Sequence, residues 1–480
     1  MIAISLLRLV AMLLMIIAGT MLFPVGVAFF IGETFIINSF LIPIAFCFFV
    51  GGLILILTRN LQFKINTRMG FLAVALSWTF ASILGAVPFM ISGTIPHFAD
   101  AFFESASGYT TTGASILTEI TSLPRTINLW RMQMHWLGGL GIVALTVALL
   151  PLIGVGGFQL IKAETTGPEK GKITPKITTT AKNLWFIYFG LTVIQTILLM
   201  FAGMDFVDAI GHTFATLGTG GFSSLNKSVG GFNSASVDWI ITIFMLLAGV
   251  NFSLYFQLII GNGKELIRNS ELKAYLLILA VAIIGITIFI YPIYGRESLR
   301  YASFQAVSIT TTTGFVTADY SQWHPFAQMI LLLLMFIGGC TGSTGGSIKV
   351  LRWVILAKQL VIEIKRMVHP HGIFSVQLNK RVGRKDVVYN VAAFICLYFV
   401  LVAITALVAA MNGADLMTSF SASLALVGNI GPGFGAVGPV GNYAFFGPVS
   451  KLWFSFAMIA GRLELYTMII FFTKSYWKNN

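Results

Sequence analysis

Long apolar runs alternate along the chain with short polar or glycine- and proline-rich breaks. The runs lie at 3–31, 36–58, 69–93, 129–160, 183–203, 237–260, 273–294, 326–366, 388–411 and 447–473. Each is long enough to cross a hydrocarbon core of roughly 30 Å, which takes about 20 apolar residues as a helix. The pattern predicts an all-α integral membrane protein with about ten transmembrane helices, because a backbone in lipid must satisfy its own hydrogen bonds. The first run carries Arg8 in its opening turns, exceeds the apolar core of a signal peptide and lacks a convincing small-residue cleavage site, so it reads as a retained helix. Four of the outer connections are different in kind: 99–116, 207–224, 300–317 and 418–436 are weakly apolar and end in glycine.

An internal repeat has to match at positions other than its anchor. With Gly113, Gly221, Gly314 and Gly433 aligned, the residue twelve places earlier is always small: Ala101, Ala209, Ala302 and Ser421. One place before that, the first two repeats share Asp100 and Asp208. Nine places before the glycine stand Glu104, His212, Gln305 and Leu424, and just after it Ala114, Phe222, Phe315 and Phe434. The match is fuller for the first three stretches than for the fourth. The organisation expected is a two-helix preface (1–62) and four units of span, half-helix, glycine loop and span (63–170, 171–265, 266–375 and 376–480), the third having a broken second helix.

Composition agrees with a bilayer as solvent: 57% of the 480 residues are hydrophobic and 10% charged, against about 25% charged in an ordinary soluble chain. The net charge of +13 is spread over alternate loops and not over a soluble face with groove-reading or stacking residues, which excludes a nucleic-acid partner. The basic loops contain Arg59, Lys64 and Arg68; Lys162, Lys170, Lys172, Lys176 and Lys182; Lys264, Arg268 and Lys273; and Lys365, Arg366, Lys380, Arg381, Arg384 and Lys385. The positive-inside rule places them, and both termini, in the cytoplasm. Trp130, Trp136, Trp239 and Trp323 fall near predicted span ends, where indoles favour the headgroup zone. Cys47, Cys340 and Cys396 are odd in number and lie in apolar sequence, as packing residues do.

Non-helical backbone at membrane depth is tolerated only inside protein or beside a watery path. The loop segments Thr110-Thr111-Thr112-Gly113, Leu217-Gly218-Thr219-Gly220-Gly221, Thr311-Thr312-Thr313-Gly314 and Asn429-Ile430-Gly431-Pro432-Gly433 contain no charged side chain. A pore that selects with side-chain charge uses Asp or Glu rings for cations and Lys or Arg for anions, so uncharged loops point to backbone carbonyls and hence to cations. Glycine permits the angles that turn successive carbonyls to one axis, and threonine hydroxyls add oxygen. Close helix packing alone accounts for one such glycine, but poorly for four at equivalent places. Asp100 and Asp208 fit N-caps or dipole partners of the half-helices, with Glu104 and His212 as braces.

The stretch Gly338-Gly339-Cys340-Thr341-Gly342-Ser343-Thr344-Gly345-Gly346-Ser347 interrupts an apolar run of about 40 residues, too long for one straight span. It is not a phosphate loop, because Lys349 follows Ile348 and not glycine. It is either a passive kink or a mobile intramembrane loop. Arg462 lies within the last apolar run, where a charge faces a cavity or a partner, and Glu464 points elsewhere around the helix. His369 and His371 flank Pro370 without further metal ligands nearby, and no grouping within the spans supplies an enzyme's nucleophile and base.

On its four glycine segments and the stretch 338–347 together, the chain resembles the TrkH, TrkG, KtrB and plant HKT superfamily of potassium and sodium transporters over nearly its whole length, TrkH-type bacterial subunits most closely. The resemblance implies one pore of pseudo-fourfold symmetry. Potassium is then the transported ion, because Gly113 stands where a serine accompanies sodium transport in some plant members. It implies a gate at Gly338, Gly339, Thr341, Gly342, Ser343, Thr344, Gly345 and Gly346, with Arg462 projecting toward it; the residue's other reading is an ion pair with a carboxylate on another helix. It further implies a homodimer in the bacterial inner membrane and a cytosolic, TrkA-like ring of nucleotide-binding regulatory subunits. The chain has no nucleotide motif and no organic cofactor is expected, so nucleotide dependence would come from that partner. A proton- or sodium-coupled symporter is the alternative, since broken helices also build substrate sites in that class.

Overall fold

Helices long enough to cross lipid alternate with helices too short to do so. The computed structural model describes residues 2–60, 67–139, 141, 177–372, 374–378, 381–382 and 385–477. Among them six helical stretches are long and apolar enough to span a bilayer, and one bent pair would make a seventh. The preface consists of α1 (Ile2–Thr20), α2 (Leu22–Ile31) and α3 (Ile37–Leu57). The first helices of the four units are α4 (Thr67–Ile91), α7 (Ile177–Phe201), α11 (Ser270–Tyr294) and α15 (Lys385–Ala410). Phe30, Phe201 and Leu407 point outward, as side chains facing hydrocarbon do.

Each is followed by a helix of 12 or 13 residues: α5 (Phe98–Tyr109), α8 (Phe206–Leu217), α12 (Ser298–Thr310) and α16 (Leu416–Val427). At 1.5 Å per residue these reach about 18–20 Å and end inside a 30 Å core. They bury polar groups such as Glu104, Ser107, Thr216 and Ser308, so protein and not lipid surrounds them. α5 packs on α4, α6 (Arg125–Gly139) and α17 (Pro448–Arg462). α8 packs on α7, α6 and α9 (Ala235–Ala248), α12 on α11, α9 and α13 (Pro325–Leu334), and α16 on α15 and α17. Three half-helices thus lean on their own unit and on the unit before, which arranges the units in order around an axis.

The second helices depart from the sequence expectation. The run 237–260 is not one straight helix: α9 and α10 (Phe252–Ile259) meet at 91°, after Gly249 and with Asn251 capping α10. The run 447–473 is also divided, because α17 stops at Arg462 and Glu464 adopts φ +55°. The run 326–366 breaks as expected, between α13 and α14 (Val350–Val368). Of the run 129–160, the part beyond 141 lies outside the described residues, as do Lys64, Lys162, Lys170, Lys172, Lys176, Lys380 and Arg384. A two-residue antiparallel pairing of β1 (Gln377–Leu378) with β2 (Arg381–Val382) is a minor exception to the helical fold.

Two smaller expectations are also corrected. Asp100 and Asp208 are not N-caps: Asp205 caps α8 by accepting from the Asp208 N–H, and His97 precedes α5 without a side-chain cap. The two aspartates lie in the first turns, where their charge suits the helix dipole. Trp130 and Trp323 face protein and not lipid; both are buried, with indole N–H groups donating to Gly85 O (3.1 Å) and to the Tyr294 hydroxyl (3.2 Å). Trp136 donates to Thr192 Oγ1, which leaves Trp239 as the exposed member of the four.

Candidate ion pathway

All four half-helices end in the same turn. Four residues after the last helical residue (Tyr109, Leu217, Thr310 and Val427) stand Gly113, Gly221, Gly314 and Gly431, with φ of +76°, +80°, +80° and +98°. Two residues before each glycine, Thr111, Thr219, Thr312 and Asn429 are left-handed as well, at +56°, +56°, +58° and +54°. Between them, the N–H groups of Thr112, Gly220, Thr313 and Ile430 turn back to Ser107 O, Ala215 O, Ser308 O and Ala425 O at 2.8–2.9 Å. The carbonyls of those same four residues accept no hydrogen bond among the described residues. The negative ends of four helix dipoles converge on them.

The four turns touch in sequence. A side-chain carbon on Gly113 would lie 2.0 Å from Gly220 O, on Gly221 2.1 Å from Thr313 O, on Gly314 2.1 Å from Ile430 O, and on Gly431 2.6 Å from Thr112 O. The contacts run from the first unit to the second, third and fourth and back to the first, so they close a ring that only glycine fits. This corrects the alignment: the fourth member is Gly431 and not Gly433. Gly433 stands two residues further out, its N–H donating to Val437 O (2.7 Å) and its carbonyl accepting from the Tyr320 hydroxyl (2.9 Å). Pro432 occupies the place of Ala114, Phe222 and Phe315, while Phe434 offers a false match two residues later. An outer cavity of about 160 Å³ is lined by all four ring glycines and by loop residues such as Ser115, Asn226 and Tyr443.

Directly against the other side of the ring lies the loop between α13 and α14. The Gly346 N–H donates to Thr312 Oγ1 at 2.6 Å. A side-chain carbon on Gly345 would come within 2.9 Å of Thr311 O, and one on Gly346 within 2.4 Å of Gly428 O. The neck of the loop is closed by Gly338 N–H to Ile348 O (2.9 Å) and Val350 N–H to Gly339 O (3.3 Å). Its far side is held by the bend between α9 and α10: Cys340 N–H donates to Gly249 O, and Gly342 O accepts from Phe252 N–H. The Arg462 guanidinium donates to Thr344 O (2.7 Å) and to Gly138 O and Gly139 O at the end of α6 (2.8 and 3.1 Å). Glu464 pairs instead with Arg352, at 2.5 Å.

The profile of the TrkH family, described as a cation transport protein, matches residues 36–479. The chain belongs to the TrkH family. It is 39% identical over 480 residues to the Trk system potassium uptake protein TrkH of Escherichia coli K12, covering 98% of both chains. To the Trk system potassium uptake protein TrkG of the same strain it is 36% identical over 469 residues, covering 96% of both. The crystal structure of the potassium transporter TrkH from Vibrio parahaemolyticus superposes with a TM-score of 0.88 at 33% identity, over 100% of both chains.

In this TrkH-family chain the ring is held from behind by side chains that differ from unit to unit. Glu104 and Arg131 form a fully buried pair at 2.7 Å. Glu104 also accepts from Ser115 Oγ (2.9 Å) and Ile116 N–H (3.0 Å), in the segment leaving the first loop. The Arg131 guanidinium lies 4.2 Å over the Phe222 ring of the second unit. His135 Nδ1 donates to Gly108 O (2.8 Å), which leaves Nε2 to accept the Phe222 N–H (3.2 Å) and fixes a neutral imidazole between two units. His212 reaches Ser223 Oγ at 2.9 Å, and Ser308 and Ser421 donate to Phe315 O and Phe434 O. Asn429 donates to Thr112 Oγ1 and Met458 O, closing the joint between the fourth unit and the first. Arg131 and His135 escaped the sequence reading; an arginine and a histidine four residues apart in an otherwise spanning run were the available signal.

Proposed function

We propose that this chain is the pore-forming subunit of a potassium uptake system, passing K+ through the ring and gating it at the loop beneath. One observation carries the reading: four glycines are each packed against the next unit's carbonyl, with the carbonyls of Thr112, Gly220, Thr313 and Ile430 left without donors among the described residues. Such oxygens replace a cation's hydration shell. The uncharged lining excludes anions by the carbonyl and helix-dipole field instead of by a fixed acid, and relatives that cover the same length are named as potassium uptake proteins.

In this reading Thr110, Thr111, Thr112 and Gly113, with Leu217, Gly218, Thr219, Gly220 and Gly221, form one half of the filter. Thr311, Thr312, Thr313 and Gly314, with Asn429, Ile430 and Gly431, form the other, while Pro432 and Gly433 belong to its outer wall. The loop of Gly338, Gly339, Thr341, Gly342, Ser343, Thr344, Gly345 and Gly346 blocks the inner exit. Arg462 ties that loop to the end of α6 and sets a positive charge in the cation's path. The bacterial inner membrane, cytoplasmic termini, a homodimer with one pore per subunit and a nucleotide-binding ring on the basic cytoplasmic face complete the proposal.

The test is ion flux into liposomes holding the purified chain, comparing K+, Rb+, Na+ and Li+ with and without a pH gradient. The proposal expects K+ and Rb+ to pass well ahead of Na+ and Li+ without a proton gradient. Flux that requires the gradient would support coupled symport instead.

A further inference from the structure

Three charged side chains from three elements grip the backbone of the loop beneath the ring. Arg462 of α17 donates to Thr344 O, and Lys349, the residue before α14, donates through Nζ to Gly345 O. The third is Glu271, in the first turn of α11, 5% exposed and 70 residues before the loop it touches. One of its oxygens, Oε1, accepts from the Thr341 N–H (2.6 Å) and from the Leu351 N–H (3.1 Å). Thr341 is in the loop. Leu351 is in the first turn of α14, whose N-cap position, Lys349, supplies no side-chain acceptor.

A helix leaves its first N–H groups without internal partners and favours negative charge there. α14 takes that charge from a neighbouring helix, and the same oxygen holds the loop's descending limb. The loop cannot swing away from the ring about its neck without pulling Thr341 off Glu271, and releasing Glu271 uncaps α14 as well. We propose that Glu271 is a positioning residue, a latch that holds the 338–347 loop in the pathway; this rests on the reading of that loop as the gate.

The test uses the full chain in liposomes and compares the wild type, Glu271→Ala, Glu271→Gln and a variant lacking residues 342–344. Because one oxygen accepts both N–H groups, the amide oxygen of Gln can keep both bonds but not the charge at the start of α14, so Glu271→Gln should fall between the wild type and Glu271→Ala. Glu271→Ala should raise basal K+ flux about tenfold or more, the scale set by two hydrogen bonds to a carboxylate, with the K+/Na+ ratio unchanged because the ring is untouched. In a background of Cys47→Ala and Cys396→Ala, Cys340, now 1% exposed beside Thr341, should react faster with a soluble thiol reagent once the latch is gone. If the shortened loop raises flux and Glu271→Ala does not, the latch is wrong and the gate stands. If neither raises it, the gate reading fails. Should Glu271→Ala not fold, Glu271→Met fills the site without an acceptor and carries the same expectation.

Discussion

Replacing Gly431 and, separately, Gly433 by alanine distinguishes the ring from its outer wall. At Gly431 the added methyl meets two obstacles. The backbone sits at φ +98°, a left-handed conformation that costs a residue with a Cβ about 1–2 kcal/mol. The methyl carbon would also lie 2.6 Å from Thr112 O and 3.1 Å from Gly113 C, whereas carbon and carbonyl oxygen settle at about 3.3 Å or more. Both obstructing atoms are backbone and cannot rotate away, so the joint between the fourth and first units must open by several tenths of an ångström. Together the two costs come to roughly 3 kcal/mol, about a hundredfold in the population of the closed ring. Gly433 is not left-handed, and its first neighbour is the Ser421 hydroxyl, at 2.9 Å. Moving that hydroxyl gives up its bonds to Phe434 N and O, at about 1 kcal/mol each, on the outer wall alone. Relative K+ and Na+ flux in liposomes should therefore show selectivity collapsing in Gly431→Ala and falling only a few-fold in Gly433→Ala. Selectivity lost at Gly433 and kept at Gly431 would refute the ring as described.

Other substitutions probe other joints. Gly113→Ser, whose Cβ would lie 2.0 Å from Gly220 O, should admit more Na+ in the same flux comparison. Arg131→Met leaves Glu104 charged, buried and unpaired, which costs about 3–5 kcal/mol; a large drop in thermal midpoint is expected, with partial recovery in Glu104→Gln/Arg131→Met. His135→Leu strands the Phe222 N–H and the Gly108 carbonyl, a loss of about 1–3 kcal/mol per buried group, and should lower both thermal stability and K+ preference. Arg462→Ala removes the donors to Thr344, Gly138 and Gly139 and should raise basal flux several-fold, with Arg462→Lys in between because an ammonium cannot reproduce the planar fork.

The features legible in the sequence are those written locally. Apolar length and the positive loops mark the spans, and each half-helix plus glycine is a contiguous segment whose turn chemistry can be read in place. The ring's fourth member was misplaced because the asparagine at 429 and the proline at 432 break the threonine pattern, and the decisive signal, a constant interval from helix end to glycine, needs the helix end to be known. The break after Gly249 is not legible because hydrophobicity continues through it and its backbone groups are satisfied by the distant 338–347 loop; at Arg462 the charge is visible, but its role in ending α17 depends on the α6 and loop carbonyls its guanidinium reaches. Long-range partners were beyond pattern reading for the same reason. Glu271 looks like an ordinary first-turn acid of α11, and Arg131 like a stray charge, until the fold brings the 338–347 loop to one and Glu104 to the other.

The central claim is that the ring of Gly113, Gly221, Gly314 and Gly431 binds K+ through carbonyl oxygens, and ion binding tests it without depending on the gate. A ligand at 100 times its dissociation constant stabilises the folded state by about 2.7 kcal/mol, so the thermal unfolding of the purified chain should respond to the cation supplied. The midpoint should rise with K+ and Rb+ to saturation, change little with Na+ or Li+ at equal ionic strength, and lose this difference in Gly221→Ala. Equal stabilisation by Na+ and K+ in the wild type, or a K+ effect that persists in Gly221→Ala, would contradict the claim.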